Sequence, residues 1–213
     1  MKKIFLVMAS IVFLMAGVAN ADDLYLGVPY NNIALDGTLN GNETVGGGSI
    51  SNSTLNKVPL PFVYCLDLYI TIGVPGDYDK TQVTNNGVIH STQSVVNAGQ
   101  IAWLLDMYAW GAIIDTNMQI ALQAAIWYEE FGVTLDPTMN AGAAVTDYNN
   151  MLAALGTNTA PLGNFDWLTP IDSPVPVLPN QALITTTVPE PVTLWLYGFG
   201  LVVLGVWRKF RKV

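Results

Sequence analysis

The stretch TNMQIALQAAIWYEEFG, residues 116–132, predicts the central helix of this chain. Thr116 followed by Gln119 fits a capping box, a pattern that satisfies free backbone N–H groups at the start of a helix. Gly132 stands where a left-handed residue commonly ends a helix. The sequence therefore predicts a helix that begins at Thr116 and ends at Phe131.

Gln123 lies on one stripe of this predicted helix. Helical spacing groups it with five other residues, which are Gln119, Ile120, Ile126, Trp127 and Glu130. An amide among isoleucine and tryptophan side chains is costly to bury unless it is hydrogen-bonded. The ordinary interpretation is that the Gln123 amide bonds to nearby backbone.

Two further helices are predicted, one on each side of the first. Residues 94–110 have an amphipathic pattern, and residues 140–155 form a helix that ends at Gly156. The apolar stripe of the earlier helix consists of Ile101, Leu104, Leu105 and Tyr108. Residues 157–180 are proline-rich and are expected to be irregular.

The run LPFVYCLDLYITI, residues 60–72, predicts the clearest strand, because apolar side chains recur at every second position. Its apolar face consists of Phe62, Tyr64, Leu66, Leu68, Ile70 and Ile72. This parity places Cys65 on the opposite face of the strand, together with Asp67. Cys65 is therefore expected off the apolar face.

Short strands and turns are expected over residues 22–60, including the glycine run at 46–48, and a final strand over residues 181–187. Asn86-Gly87 predicts a hairpin turn between the strands on either side of it. These elements predict an α+β fold, an antiparallel β-sandwich or barrel-like domain built from both ends of the exported region. A helical insertion occupies residues 94–155.

Residues 1–21 have the pattern of a secretory signal peptide. Lys2 and Lys3 precede an apolar run, and Ala19-Asn20-Ala21 fits a cleavage site. An uncleaved membrane anchor is the alternative. With cleavage, the exported domain covers residues 22–187.

Residues 192–207 predict a transmembrane helix, because they are apolar and uncharged. The helix would extend roughly 24 Å, slightly less than the ~30 Å hydrocarbon core of a bilayer. Four basic residues follow, which are expected to stay cytoplasmic: Arg208, Lys209, Arg211 and Lys212.

Pro189-Glu190-Pro191 stands just before this helix. The order of these three parts over residues 188–213 resembles the PEP-CTERM sorting signal of Gram-negative bacteria. The resemblance implies transient insertion in the inner membrane, processing by an exosortase, and delivery to the cell surface or an extracellular matrix. A permanent tail anchor is the alternative.

The predicted exported domain is strongly acidic. The whole chain has a net charge of −8, but without its two ends it keeps two basic residues, Lys57 and Lys80, against fifteen acidic ones, which is a net charge of −13. Such a surface repels nucleic acid, so no nucleic-acid partner is expected.

Cys65 is the only cysteine of the chain. Exported proteins usually pair their cysteines, so a single one is filler, an intermolecular linker or a reactive group. His90, the sole histidine, is expected at the surface and lacks the motif that a cysteine hydrolase would need. One Cys and one His cannot build a zinc site, and Asp77 and Asp79 lack the spacing of a calcium loop. No metal or cofactor is therefore expected.

Tyr64-Cys65, followed by Gln123-Ala124-Ala125-Ile126-Trp127, resembles the paired motifs of the thioester domains of bacterial surface adhesins. The resemblance covers residues 60–132, with Leu122 where those domains often have threonine. It implies that the Cys65 thiolate attacks the side-chain carbonyl of Gln123, ammonia leaves, and an internal thioester forms. Tyr64, Ile126 and Trp127 are placed to shield that bond from water.

The resemblance further implies covalent attachment to an amine- or hydroxyl-bearing surface polymer or protein. A protein that reacts once in this way does not turn over, so it is not an enzyme. The alternative is a non-covalent structural protein of a biofilm or exopolysaccharide matrix, in which Cys65 is buried and unreactive.

Overall fold

Twelve short strands are found in the part of the chain that the computed structural model describes, which is residues 22–28, 31–36, 43–171 and 180–187. In chain order they are β1 (Asp22–Leu26), β2 (Asn31–Asp36), β3 (Glu43–Gly47), β4 (Thr54–Leu55), β5 (Val58–Pro59), β6 (Tyr64–Cys65), β7 (Gly76–Thr84), β8 (Val88–Ile89), β9 (Gln93–Ser94), β10 (Thr134–Leu135), β11 (Phe165–Pro170) and β12 (Leu183–Thr186).

Seven of these strands form one antiparallel sheet, in the order β5-β4-β1-β7-β11-β12-β6. The two late strands, β11 and β12, lie between the early strands β7 and β6, which confirms that both ends of the domain build the same sheet. The sheet is curled and open, with β5 and β6 at its edges, so it does not close into the barrel that the sequence offered as one alternative. Two smaller sheets, β10-β2-β3 and β8-β9, lie beside it.

All three predicted helices are present among the described residues. They are α1 (Ala98–Ala112), α2 (Thr116–Phe131) and α3 (Gly142–Leu155). Helix α2 packs against both other helices and against the small sheet formed by β10, β2 and β3. It is also the most buried of the three, which explains why its sequence is apolar on more than one stripe.

The ends of α2 lie at the predicted residues, but its N-terminal cap is different. The Asp115 side chain accepts hydrogen bonds from the backbone N–H groups of Asn117 and Met118 at 2.9 and 3.2 Å. Thr116 is thus the first helical residue rather than the cap, and the capping-box prediction is wrong. Gly132 ends the helix with φ 72°, as predicted.

The predicted strand over residues 60–72 is wrong for most of its length. Only Tyr64–Cys65 form a strand, which pairs with β12 at the edge of the large sheet. All six residues from Phe62 to Asp67 are buried, so alternation does not separate two faces. Cys65 lies in the core, because a segment covered on both sides has no solvent face.

The predicted hairpin at Asn86-Gly87 is also wrong. The strand after this turn, β8, pairs with β9, whereas β7 pairs with β1 and β11. Strand β11 itself lies within residues expected to be irregular. Its partner β7 is about eighty residues away in the chain, and no local pattern reveals such a pairing.

None of the described helices is long and apolar enough to cross a membrane. The predicted signal peptide, the Pro-Glu-Pro motif and the transmembrane segment at 192–207 with its basic cluster lie outside the described residues.

Candidate functional site

The side-chain amide of Gln123 bonds to the main chain of Cys65 through both of its polar atoms. The Cys65 N–H donates to Oε1 of Gln123 at 3.0 Å, and Nε2 of Gln123 donates to the Cys65 carbonyl at 2.7 Å. Both residues are fully buried. The two sequence motifs, 58 residues apart, therefore meet in the core of the domain.

Strand β12 holds the cysteine segment from the side opposite Gln123. In the register of this pair, Leu183 lies opposite Cys65 and Ile184 opposite Tyr64. The pairing is extended by the Thr185 hydroxyl, which donates to the carbonyl of Phe62 at 2.6 Å. Cys65 is thus fixed between a helix and the last described strand.

Gly47, the last residue of β3, lies directly against the stem of Gln123. A Cβ at this position would be 2.7 Å from Gln123 Cγ and 2.8 Å from both Trp127 Cη2 and Ile33 Cδ1. These distances are shorter than any normal carbon contact, so only glycine fits. The sequence assigned the glycine run at 46–48 to strands and turns, and it held no signal that Gly47 packs on Gln123.

All three predicted shielding residues lie in the core. Tyr64, Ile126 and Trp127 are all buried, and Tyr64 also contacts the Phe62 ring at 6.0 Å between centroids. Within the described residues, neither the Tyr64 hydroxyl nor the Trp127 indole N–H has a hydrogen-bond partner. The shielding role of the three residues stays a prediction.

Burial changes the chemistry of the Cys65 thiol. The loss of solvation, together with the nearby Asp67 charge, raises the pKa of Cys65 to about 12. The group is consequently a neutral thiol at physiological pH. Any reaction of its sulfur as a nucleophile requires a group that accepts the proton.

Asp67 is a buried carboxylate that the sequence did not single out. Its Oδ2 accepts the backbone N–H of Ala182 at 2.6 Å and lies 2.8 Å from Nε2 of His90, and Gln181 donates to the Asp67 carbonyl. The side chain of Asp67 is 6% exposed and that of His90 is 19% exposed. His90, expected as a surface residue, therefore links a buried carboxylate to solvent.

Glu130 brings a second carboxyl group to this region. It is only 9% exposed, and its Oε2 has no hydrogen-bond partner within the described part of the chain. Burial, with a further contribution from the Asp67 charge, raises the pKa of Glu130 to about 8. The sequence placed Glu130 on the Gln123 stripe but gave no signal of its electrostatic interaction with Asp67.

The two hydrogen bonds hold the Gln123 amide beside the main chain of Cys65. Oε1 would carry negative charge in the tetrahedral intermediate, and it already accepts a backbone N–H, as oxyanions do in acyl-transfer sites. Nε2, the atom that would leave, is oriented by the Cys65 carbonyl. The same two bonds give each polar atom of the buried amide one backbone partner, as the ordinary interpretation of Gln123 expected.

Among the described residues, no group of three or more His, Cys, Asp or Glu side chains is placed to hold a metal ion. Asp77 and Asp79 are exposed residues of β7 rather than parts of a loop.

No protein-family model matches the sequence, and no curated protein matches it. Among solved structures, the N-terminal thioester domain of protein F2 like fibronectin-binding protein from Streptococcus pneumoniae matches 79% of this chain and 94% of that chain. The two sequences are 15% identical and the TM-score is 0.44. Similarity at this level does not assign a family, so the function has to be argued from the site.

Proposed function

We propose that this chain is an exported protein in which Cys65 and Gln123 form an internal thioester. The bond would react once with an amine or hydroxyl group on a surface polymer or protein and leave a covalent link to Gln123. The protein would thus act in attachment to a surface or in cross-linking of an extracellular matrix, and not as an enzyme.

The observation that carries the proposal is the pair of hydrogen bonds between the Gln123 amide and the Cys65 main chain. An amide is a poor electrophile, so thioester formation depends on enforced proximity. Well-oriented groups can gain roughly 7–11 kcal/mol in this way. Gly47 lies against the stem of Gln123, with Trp127 beside it, and both Cys65 and Gln123 are fully buried.

The reaction conserves atoms without an oxidant or a reductant. The Cys65 sulfur bonds to the Gln123 amide carbon, the bond from that carbon to Nε2 breaks, and the thiol proton leaves with the nitrogen as ammonia. When a partner nucleophile later opens the bond, the sulfur leaves and takes up a proton. Cys65 is then free again.

A second function is favoured by a different observation. Each polar atom of the Gln123 amide already has a backbone hydrogen-bond partner, and the buried thiol of Cys65 holds its proton strongly. Both features suit a non-covalent structural protein of an extracellular matrix with an unreactive cysteine. The two functions differ in a single covalent bond.

Intact mass spectrometry of the purified domain separates them. The thioester predicts a mass lower by one ammonia than the sequence requires, and Cys65→Ala or Gln123→Ala should each restore the full mass for its composition. Ser49→Ala changes a buried polar residue outside the Cys65–Gln123 pair, and this control variant should keep the mass deficit of one ammonia. A wild-type domain of full mass, with a Cys65 thiol that alkylates after denaturation, would exclude the thioester.

The place of action is proposed from the sequence alone. The signal-peptide pattern at 1–21 and the Pro-Glu-Pro tail at 188–213 support export, exosortase processing at the inner membrane, and release to the cell surface or matrix. Replacing Pro189, Glu190 and Pro191 with alanine in a host with an exosortase tests this route. Retention of the variant in the membrane fraction is the expected result, and unchanged release would contradict it.

A further inference from the structure

The carboxylate of Asp67 joins the cysteine segment to the last described strand. The pairing of β6 with β12 ends at Cys65, which lies opposite Leu183. Beyond this point the Leu66 N–H still donates to the carbonyl of Ala182 at 2.8 Å. The next partner is a side chain, because the Ala182 N–H donates to Oδ2 of Asp67 at 2.6 Å. Asp67 thus continues the attachment of this segment past the end of the strand.

The main chain of Cys65 bonds to the helix rather than to β12. Its N–H donates to the Gln123 amide, and its carbonyl accepts from the same amide. The position of Cys65 relative to β12 therefore depends on the residues on either side of it. On the C-terminal side, these residues are Leu66 and Asp67.

His90 is the second partner of the same carboxylate oxygen. Its Nε2 lies 2.8 Å from Oδ2 of Asp67, and its backbone N–H donates to the hydroxyl of Thr169, in β11, at 3.0 Å. His90 and Ser91 have left-handed backbone conformations, with φ 46° and 69°, which residues with a side chain adopt at a cost in free energy. The contacts with Asp67 and Thr169 hold this turn against the large sheet.

Resting on the proposed function, we propose that Asp67, held by His90, is a positioning residue of the thioester. By fixing residues 65–67 on β12, Asp67 keeps the main chain of Cys65 aligned with the Gln123 amide, which lies on a different element. Thioester formation is sensitive to this alignment, because a displacement of about 1 Å can slow a reaction about 100-fold.

The contacts of Asp67 do not suit proton transfer. Its Oδ2 already has two partners, Ala182 and His90. Burial, with a further contribution from the Asp67 charge, raises the pKa of the Cys65 thiol, and a charge that disfavours the thiolate hinders attack by sulfur. Asp67 therefore acts through the segment that it holds.

Asp136 provides a matched control in another part of the domain. Like Asp67, it is a buried carboxylate. It accepts hydrogen bonds from the backbone N–H groups of Thr138 and Met139 at 2.7 and 3.2 Å, in the segment between β10 and α3. Replacing either aspartate with alanine removes a buried hydrogen-bond acceptor, but only Asp67 belongs to the cysteine segment.

The experiment measures the rate at which the full chain loses one ammonia after cell-free synthesis, by intact mass at successive times. The melting temperature of each purified protein records its stability. Asp67→Ala should lose ammonia about 100-fold more slowly than the wild type, whereas Asp136→Ala should keep the wild-type rate. His90→Ala should also be slow. His90→Gln should recover the rate, because its amide can donate to Oδ2 of Asp67 in place of the imidazole.

A wild-type rate in folded Asp67→Ala would overturn the positioning role and leave the thioester standing. Equal slowing by Asp67→Ala and Asp136→Ala would do the same, since it would trace the effect to lost stability. If Asp67→Ala does not fold, the His90 variants decide: a wild-type rate in His90→Ala, or a His90→Gln variant as slow as His90→Ala, overturns the proposal. A wild-type chain that never loses ammonia would overturn the proposed function and this inference together.

Discussion

Gly47→Ala is the sharpest perturbation of the site that leaves its reactive groups in place. The added methyl group would lie within 2.8 Å of Gln123, Trp127 and Ile33, all of which are buried. Since Gly47 does not adopt a left-handed conformation, the cost is one of space alone. Overpacking of a core costs typically about 1–3 kcal/mol, and three buried neighbours favour the upper end.

A loss of about 3 kcal/mol lowers the melting temperature of a domain of this size by about 6–12 °C. Thermal unfolding followed by circular dichroism measures this shift, and intact mass measures the fraction of molecules with the ammonia deficit. That fraction should fall as well, because the methyl group pushes the Gln123 stem away from Cys65.

The control for this experiment is Gly142→Ala. Gly142 begins α3, and a Cβ there would meet no atom within 4 Å. The substitution should leave the deficit intact and raise stability slightly, because alanine restricts the unfolded chain more than glycine does. If Gly47→Ala melts within about 2 °C of the wild type, the packing described at β3 is wrong.

Three further outcomes are expected. The free energy of unfolding should fall by a few kcal/mol as pH rises from about 4.5 to about 8, because the folded state holds the Glu130 proton to higher pH than the unfolded chain does, at about 1.4 kcal/mol per pKa unit. Denaturant titrations at several pH values should show this decrease in the free energy of unfolding. An equal decrease in a Glu130→Gln variant would contradict its assignment to Glu130. Asp115→Ala removes the helix cap and should lower the free energy of unfolding by about 1 kcal/mol in chemical denaturation, whereas Thr116→Ala should leave it nearly unchanged. A larger loss for Thr116→Ala than for Asp115→Ala would support the capping box instead. In Gln123→Ala, iodoacetamide at pH 8 should label Cys65 slowly in the folded state and rapidly in urea, because burial holds the thiol protonated. Fast labelling of the folded variant would show an open site.

Helix α2 illustrates what local patterns predict well. Its two ends were located correctly because turn periodicity and the terminating Gly132 act within a few residues of chain. The N-terminal cap was assigned one residue too late, since Thr116 and Asp115 are both good cap residues and only the backbone conformation of Asp115 decides between them.

The strand predicted over residues 60–72 illustrates what local patterns miss. Alternation of side chains separates two faces only if one of them meets water, and here the side chains on both faces of residues 62–67 are buried. The Cys65–Gln123 pairing was expected from a resemblance to paired motifs. Asp67 was not, because its carboxylate is recognised only once the chain near residue 182 lies beside it.

The sequence alone determined that one cysteine stands in an acidic chain with very few lysines, and that Gln123 shares a helical stripe with Ile126, Trp127 and Glu130. Tertiary structure alone decided that the Cys65 thiol is buried, that Gly47 presses on Gln123, and that two carboxyl groups face the same region. The physical reason is the distance along the chain over which each property is set. Helical periodicity is a property of neighbouring residues, whereas burial and the pairing of charges depend on segments that the fold brings together from distant parts of the chain.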